Sequence, residues 1–380
     1  MNELQTTLYS NLMALCDGDE AFFYSDQVLT PKTRPGHFRI FNYRLASYTQ
    51  WLHPGALECR GVMFLMDSEF KNPMSLMSWP FEKFFNLNEN PMTMGLDMND
   101  VRSIQAKMDG SLISTFYFDG HVRVKSKGSL HSDQAVAAQR LLESPKWDAL
   151  YNALEQHVMF MDHTVIMEYT APDNRIVVPT EEPTLTVLAV RDNRTGKYVG
   201  DLHGYMVEYM TDEIINDVGE DIPAFIEDIP KMTGIEGFVL TMASGQRVKI
   251  KTDWYAALHH LKDSINSQRR LFECAVNDAT DDLKAQFWDD LQAVAMINHM
   301  EAKVASIYNH MVDQVERFYQ RNKHMERKDF AIKGQAELDK LCFGLVMAKY
   351  SGKEVDYKAT LIKHRKNFGI KDDPEMGAEQ

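Results

Sequence analysis

Cysteine is scarce in this chain. The four cysteines, Cys16, Cys59, Cys274 and Cys342, lie far apart in 380 residues. That spacing suits neither a disulfide framework nor a paired zinc site, so a reducing cytoplasm is the expected compartment. Long apolar runs are missing too. None approaches the ~18 residues of a membrane span, and the N-terminus carries acids where a secretory leader has a basic segment. The expectation is a soluble protein with no membrane partner. Internal repeats and low-complexity linkers are absent, which excludes solenoids and disordered arrays. An excess of positive charge is absent as well. The net charge of −14 is not that of a general nucleic-acid binder. The imbalance is local, however. Residues 255–380 hold 19 basic and 20 acidic side chains, so nearly all the surplus acid precedes them. Two basic runs, RNKHMERK (321–328) and KATLIKHRK (358–366), stand in that balanced part. They are either solvated helix faces or phosphate contacts.

What is present is ordinary globular material, 44% hydrophobic and 25% charged, in a chain long enough for two domains. Strand signals dominate up to about residue 254. LISTFYF, then Asp119-Gly120, then HVRVKSK reads as a hairpin on a two-residue turn. TVIMEY (164–169) and TLTVLAV (184–190) are β-rich, and EGFVLTM-ASGQ-RVKIKTD (236–253) is a second hairpin. A helix is expected around 133–156. From Trp254 onward the apolar residues recur at helical spacing, as in Val304, Ile307, Tyr308, Met311, Val312, Val315, Phe318 and Tyr319, and also in Leu283, Phe287, Leu291 and Val294. The expected fold is α+β: a domain of antiparallel sheets and helices over 1–254, followed by an all-α domain over 255–380.

The segment KMDGSL (107–112) puts a lysine just before a turn and a rigid hairpin. A lysine is a nucleophile only as the free amine, which needs desolvation or neighbouring cations because its ordinary pKa is about 10.4. Cations are available. In VKIK, alternation sends Lys249 and Lys251 to one face. Two adjacent ammoniums suit an anion between them, with phosphate the natural one. The alternative is an amphipathic strand with a wet face. Glu168 sits among apolar neighbours in VIMEY, and Glu236 opens a strand in GIEGF. A buried acid needs a partner or a metal. Phosphoryl chemistry accounts for lysines and acids together.

These segments carry a resemblance. KMDGS, SKG, MEYTAPDNRIV, VLAVRD, IEGF and VKIK follow, in order, the motifs of the covalent lysyl-AMP nucleotidyltransferases, the ATP-grasp-like ligase superfamily of DNA ligases, RNA ligases and capping enzymes. FFYSD, ASYTQWLHPGALECRGVMF, PFEKFFNLNENP and VKIKTDWYAALH narrow it further. The chain resembles the bacteriophage RNA ligases of the tRNA-repair type over roughly residues 1–290. The resemblance implies ATP and Mg2+, with Mn2+ as a substitute. It also implies an RNA substrate with 5′-phosphate and 3′-hydroxyl ends, a nicked tRNA anticodon loop, and a monomer.

It also implies residue roles. Lys107 matches the nucleophile that takes AMP. Tyr43, Arg60, Lys83 and Lys127 match ATP-site residues. Glu168 and Glu236 match the glutamates that organise nucleotide and metal. Lys249 and Lys251 match the α-phosphate lysines, whose charge would depress the pKa of Lys107. Tyr255 matches a tyrosine needed for activity. Asp281 and Asp282 match a metal-binding pair, and equally suit the first turn of a helix. The chain departs from the pattern at Met108, where relatives often have an acid, in the stretch LTPKTRPGH (29–37), and beyond residue 290. The rival readings are a DNA ligase or capping enzyme and a non-catalytic RNA-binding relative. The first calls for an OB-fold of short strands after VKIK, where the pattern is helical. The second calls for loss of the charged motif positions, all of which are present.

Overall fold

The alternating apolar runs pair into three four-stranded sheets in a computed structural model of the chain. The structure describes residues 1–31, 33–44, 46–174, 177–200, 209–211, 214, 221–287 and 290–371, without the side chains of 173, 260–264, 282, 285 and 286. One compact unit ends at Ala257 and a second begins at Leu258.

In the first unit, β1 (Phe22–Leu29), β2 (Gly36–Tyr43), β3 (Val62–Met66) and β4 (Pro73–Ser78) form an antiparallel sheet in that order. The period of two divides β2 between two cores. Phe38 and Ile40 pack with Phe116 and Phe118 of the next sheet, while Phe41 joins Leu8, Leu12 and Leu15 of α1 (Glu3–Gly18). The second sheet has the order β10 (Thr184–Asp192), β9 (His163–Thr170), β7 (Ser111–Phe118), β8 (His121–Ser126). Its β7–β8 hairpin closes at Asp119 and Gly120, φ +57° and +79°, the left-handed pair that a two-residue turn demands. Two short helices, Asp133–Leu142 and Asp148–Glu155, cover the sheet through Ala138, Leu142, Leu150 and Leu154, where the sequence predicts helix around 133–156.

The third sheet holds Lys249 and Lys251 and is flanked by Lys107 and Glu236. Its order is β5 (Phe85–Asn86), β12 (Arg247–Lys251), β11 (Gly237–Met242), β6 (Val101–Ala106), with only β5 and β12 parallel. Gly237, at φ +146°, is required here: a Cβ would fall 1.9 Å from the carbonyl oxygen of Ile250.

The second unit is helical in its described residues. A helix of 32 residues, Leu291–Asn322, buries Val304, Met311, Val315 and Phe318 against Phe330, Cys342, Val346 and Leu361 of later helices. The expected spacing of Leu283, Phe287, Leu291 and Val294 does not mark one helix. A short helix, Asp281–Gln286, stops with Phe287 as its C-cap, and Leu291, which opens the long helix, is 82% exposed. No described helix is long and apolar enough to cross a membrane.

Candidate active site

Lys107 follows directly on β6. Its backbone N–H donates to the carbonyl of Gly237 at 2.9 Å, so the ladder with β11 extends to the lysine itself. Its ammonium contacts Glu236 Oε1 at 2.7 Å, and Lys251 Nζ reaches the same oxygen at 3.5 Å. One carboxylate therefore spaces two cations. Gly110 serves by its smallness rather than by an unusual φ. A Cβ there would lie 2.3 Å from the carbonyl oxygen of Tyr169, so any side chain would push the lysine's turn off β9.

The VKIK pair is not a wet face. Lys249 is only 8% exposed, and Val248 and Ile250 on the opposite side are buried too. Burial pushes the Lys249 ammonium down to about 7, and Lys83, Lys107 and Lys251 push the same way. Lys251 is lowered as well, by burial first and by Lys107, against the pull of Glu236. Glu168 lies on β9, every residue of which is buried. Burial lifts its carboxyl to about 8, with Lys107 and Arg60 opposing and Glu236 assisting. At neutral pH the site thus holds a carboxyl and a lysine that both lean toward their uncharged forms.

A second group of cations surrounds Tyr43. Its ring packs edge-on against Trp51 with centroids 4.6 Å apart, and the ammoniums of Lys83 and Lys127 lie 5.4 and 5.5 Å from its centroid. Burial alone would raise the phenol's pKa, yet Lys83, Arg60 and Lys127 bring it below its ordinary value. Arg60 has a buried guanidinium nitrogen, Nη1, with no hydrogen-bond partner. An unpaired buried donor among cations suits an anionic ligand.

Three contributors escaped the sequence reading. Asp109, in the turn after Lys107, is buried and accepts three hydrogen bonds: from the Tyr255 hydroxyl at 2.7 Å and from the amides of Val177 and Val178 at 2.7 and 2.6 Å. Tyr255 is thereby fixed, with its ring centroid 5.0 Å from Lys251 Nζ. Arg191, the arginine of VLAVRD, is a strut. It donates to both Glu58 oxygens at 2.9 and 2.6 Å and to the Pro80 carbonyl at 2.8 Å, and so anchors the segment that carries Arg60. Lys125 is fully buried on β8, donates to the Ser126 carbonyl at 3.2 Å, and is pushed down to about 7 by burial and by Arg60. For Asp109 and Arg191 the residue type was visible, but the hydrogen-bond partners lie far along the chain.

Tyr43, Arg60, Lys83, Lys107, Lys127, Glu168, Glu236, Lys249, Lys251 and Tyr255 all belong to the first unit. Asp281 belongs to the second, exposed in the first turn of its six-residue helix, and the side chain of Asp282 lies outside the described residues. Among the described residues no group of three or more His, Cys, Asp or Glu is placed to hold a metal by itself. Glu168 and Glu236 nonetheless fit a magnesium ion of the substrate-completed kind, which takes one or two carboxylates and fills its shell with phosphate oxygens and water. A raised, buried carboxyl such as Glu168 is what a divalent cation would restore to its charged form.

Comparison with known proteins places the chain in a family. A family model described as RNA ligase matches residues 58–255, and one described as the C-terminal domain of T4 RNA ligase 1 matches residues 262–372. The second match extends the resemblance well past residue 290. A putative RNA ligase of Thermovibrio ammonificans is 26% identical, over 79% of this chain and 79% of its own. RNA ligase 1 of bacteriophage TS2126 is 27% identical, over 60% of this chain and 58% of its own. Among solved structures, an archaeal ATP-dependent RNA ligase aligns over 80% of this chain and 79% of its own, with a TM-score of 0.41 at 11% identity.

Proposed function

Since the chain belongs to the RNA ligase family, we propose that it joins RNA 5′-phosphate and 3′-hydroxyl ends with ATP, through AMP carried on Lys107. The carrying observation is the arrangement of Lys107 on Glu236 with Lys249 and Lys251 beside it. In the first step the Lys107 amine attacks the α-phosphorus of ATP. An N–P bond forms and pyrophosphate leaves. Glu236, 2.7 Å from the ammonium, is placed to accept the proton that must be lost. Lys249 and Lys251 gain their full charge as the phosphate arrives, because an anion between them offsets burial and mutual repulsion. Arg60, Lys83 and Lys127 neutralise the polyphosphate, with Tyr43 among them. An oxygen of the RNA 5′-phosphate then takes the AMP from Lys107, and the 3′-hydroxyl of the other end displaces AMP to close the phosphodiester. Glu168 and Glu236 would hold the divalent metal, which adds charge neutralisation at the phosphates.

Asp281 and Asp282 are the weaker metal candidates, for a first-turn aspartate needs no ion to account for it. The reading extends to a nicked tRNA anticodon loop as substrate, acted on by a monomer in the cytoplasm, with residues 255–380 tuning RNA choice. The test is incubation with ATP labelled at the α-phosphate, followed by peptide mapping. AMP on Lys107, lost in Lys107→Ala, supports the reading. AMP on another lysine, equal labelling by GTP, or full activity in excess chelator overturns it.

A further inference from the structure

Glu82 and Lys83 are neighbours in PFEKFF, yet they meet different surroundings. The Lys83 ammonium lies 5.4, 5.8 and 5.2 Å from the ring centroids of Tyr43, Trp51 and Phe85. The Glu82 carboxylate meets two guanidiniums and a phenol. Its Oε2 accepts from the Tyr198 hydroxyl and lies 3.6 Å from Arg191 Nη1, and its Oε1 lies 3.6 Å from Arg247 Nη1. Both guanidiniums also share the Tyr198 ring, Arg247 at 3.7 Å from its centroid and Arg191 at 5.1 Å. Their side chains are 10% and 5% exposed. Two buried cations on one ring repel unless an anion stands with them. Arg191 has Glu58 as well. For Arg247 the ion-pair partner among the described residues is Glu82, and its buried Nη1 makes no hydrogen bond. Apolar side chains of similar volume commonly replace such a buried cluster without loss of stability, so stability alone does not account for it.

What the carboxylate adds is place. Arg247 opens β12, two residues before Lys249, and Arg191 lies on β10. The Lys83 amide donates to the Leu57 carbonyl at 2.7 Å. Phe85 and Asn86 pair with Val248 and Lys249, and the Leu87 amide donates to the Lys249 carbonyl at 2.9 Å. The backbone thus secures the stretch from Lys83 to Leu87, and Glu82 secures its leading end by charge. We infer that Glu82 is a positioning residue for Lys83, holding that ammonium over Tyr43 where the polyphosphate of ATP arrives. The inference rests on the RNA-ligase reading and concerns a residue that acts through its neighbour. The sign of the charge agrees. A free carboxylate one residue from a phosphate-binding lysine would oppose the ligand. Here two arginines neutralise it, so Glu82 can fix Lys83 without repelling phosphate.

The test measures ATP binding apart from the chemical step. Equilibrium dialysis with labelled ATP, on protein carrying Lys107→Ala, gives a Kd to which Glu82→Gln and Lys83→Met are added singly and together. Glu82→Gln keeps the size of the side chain and removes its charge. It should raise the Kd for ATP about tenfold through misplacement of Lys83. Added to Lys83→Met it should raise the Kd by less than about twofold, because a residue that acts through an ammonium has nothing to place once that ammonium is gone. AMP, measured as a competitor, lacks the outer phosphates, and its affinity should change less than about twofold in Glu82→Gln. An unchanged Kd for ATP in Glu82→Gln overturns the inference. So does a rise that recurs in full on top of Lys83→Met, or an equal loss of ATP and AMP binding, either of which would make Glu82 a support of the fold alone. If Glu82→Gln does not fold, Tyr198→Phe decides. It removes the donor to Oε2 and keeps the ring against both arginines. The Kd for ATP should then rise about threefold, with the same dependence on Lys83. Failure of the unaltered protein to take label from ATP at all would sink the ligase reading instead.

Discussion

The two units bury different things. The first encloses Asp109, Lys125, Glu168, Arg191, Glu236 and Lys249, whereas among the described residues of the second the buried polar side chains are Ser267, Thr280 and Asn322, none of them charged. Taking a charge out of water is costly unless it is paired, and a lysine and a carboxyl displaced toward neutrality are the signs of that cost. A fold that accepts it in one place has been shaped there by something other than stability. The second unit keeps its charges outside, in pairs such as Lys358 with Asp278 and Lys284 with Glu301, and relies on an apolar core. The contrast separates chemistry from packing more sharply than the domain boundary does.

The contrast breaks most visibly at Lys107. Lys107→Ala should lower labelling by ATP at least ~1000-fold, since no other group supplies the N–P bond, while pre-adenylylated RNA is still sealed to a measurable extent. A labelled Lys107→Ala protein would end the assignment. Lys249→Met comes next. Labelling should fall about 100-fold through loss of a phosphate contact, yet the ligand-free protein should gain stability. The sign follows from the lowered pKa. Between about 7 and the unfolded value of 10.5 the unfolded chain binds the extra proton, so the cost of burying Lys249 is complete below pH 7 and fades toward 10.5. Melting curves should therefore show the variant ahead by about 5 °C at pH 7 and by less at pH 9.5. A variant that is less stable at pH 7 would mean that Lys249 is well paired in the free protein.

Tyr255→Phe probes the positioning layer. Removing the hydroxyl leaves one oxygen of Asp109 without its donor, a loss of about 1–3 kcal/mol. Urea unfolding should register it, together with an approximately tenfold slower labelling rate. Stability lost with an unchanged rate would confine Tyr255 to packing. The smallest effects belong to the second unit. Arg321, Lys323, Arg327, Lys328, Lys363 and Lys366 are exposed. Reversing the charges of each run separately should change labelling less than about twofold. Sealing of a nicked anticodon loop should weaken more than sealing of a short single strand, and more so at low salt. Equal responses, or none, would leave these runs as solvated faces. Asp281→Ala should alter neither labelling nor its magnesium dependence.

The sequence made the strands legible because their alternation is regular and their turns carry the required residues, as at Asp119-Gly120. Glu168 stood out as charge among apolar neighbours, Lys249 and Lys251 by the alternation of their strand, Glu236 as the acid opening a strand, and Lys107 by the glycine turn and hairpin that follow it. Asp109 and Arg191 stayed hidden for the complementary reason: what distinguishes them is a partner. The donor to Asp109 is 146 positions away and the partner of Arg191 is 133, and no local pattern encodes contacts of that span. The helix break at Phe287 was hidden differently, since apolar spacing continues through it while the backbone does not.

The reach of Asp109 bears on how the protein is made. The turn that follows Lys107 is held by amides 68 and 69 residues downstream and by a hydroxyl 146 residues downstream. Contacts that close such long loops form late. A chain growing from its N-terminus therefore exposes Lys107 well before it has the strand that brings Lys249 and Lys251 or the tyrosine that braces the turn. Synthesis of the first unit and assembly of the surroundings of Lys107 end together, so an incomplete chain carries that lysine without the groups proposed to ready it for ATP.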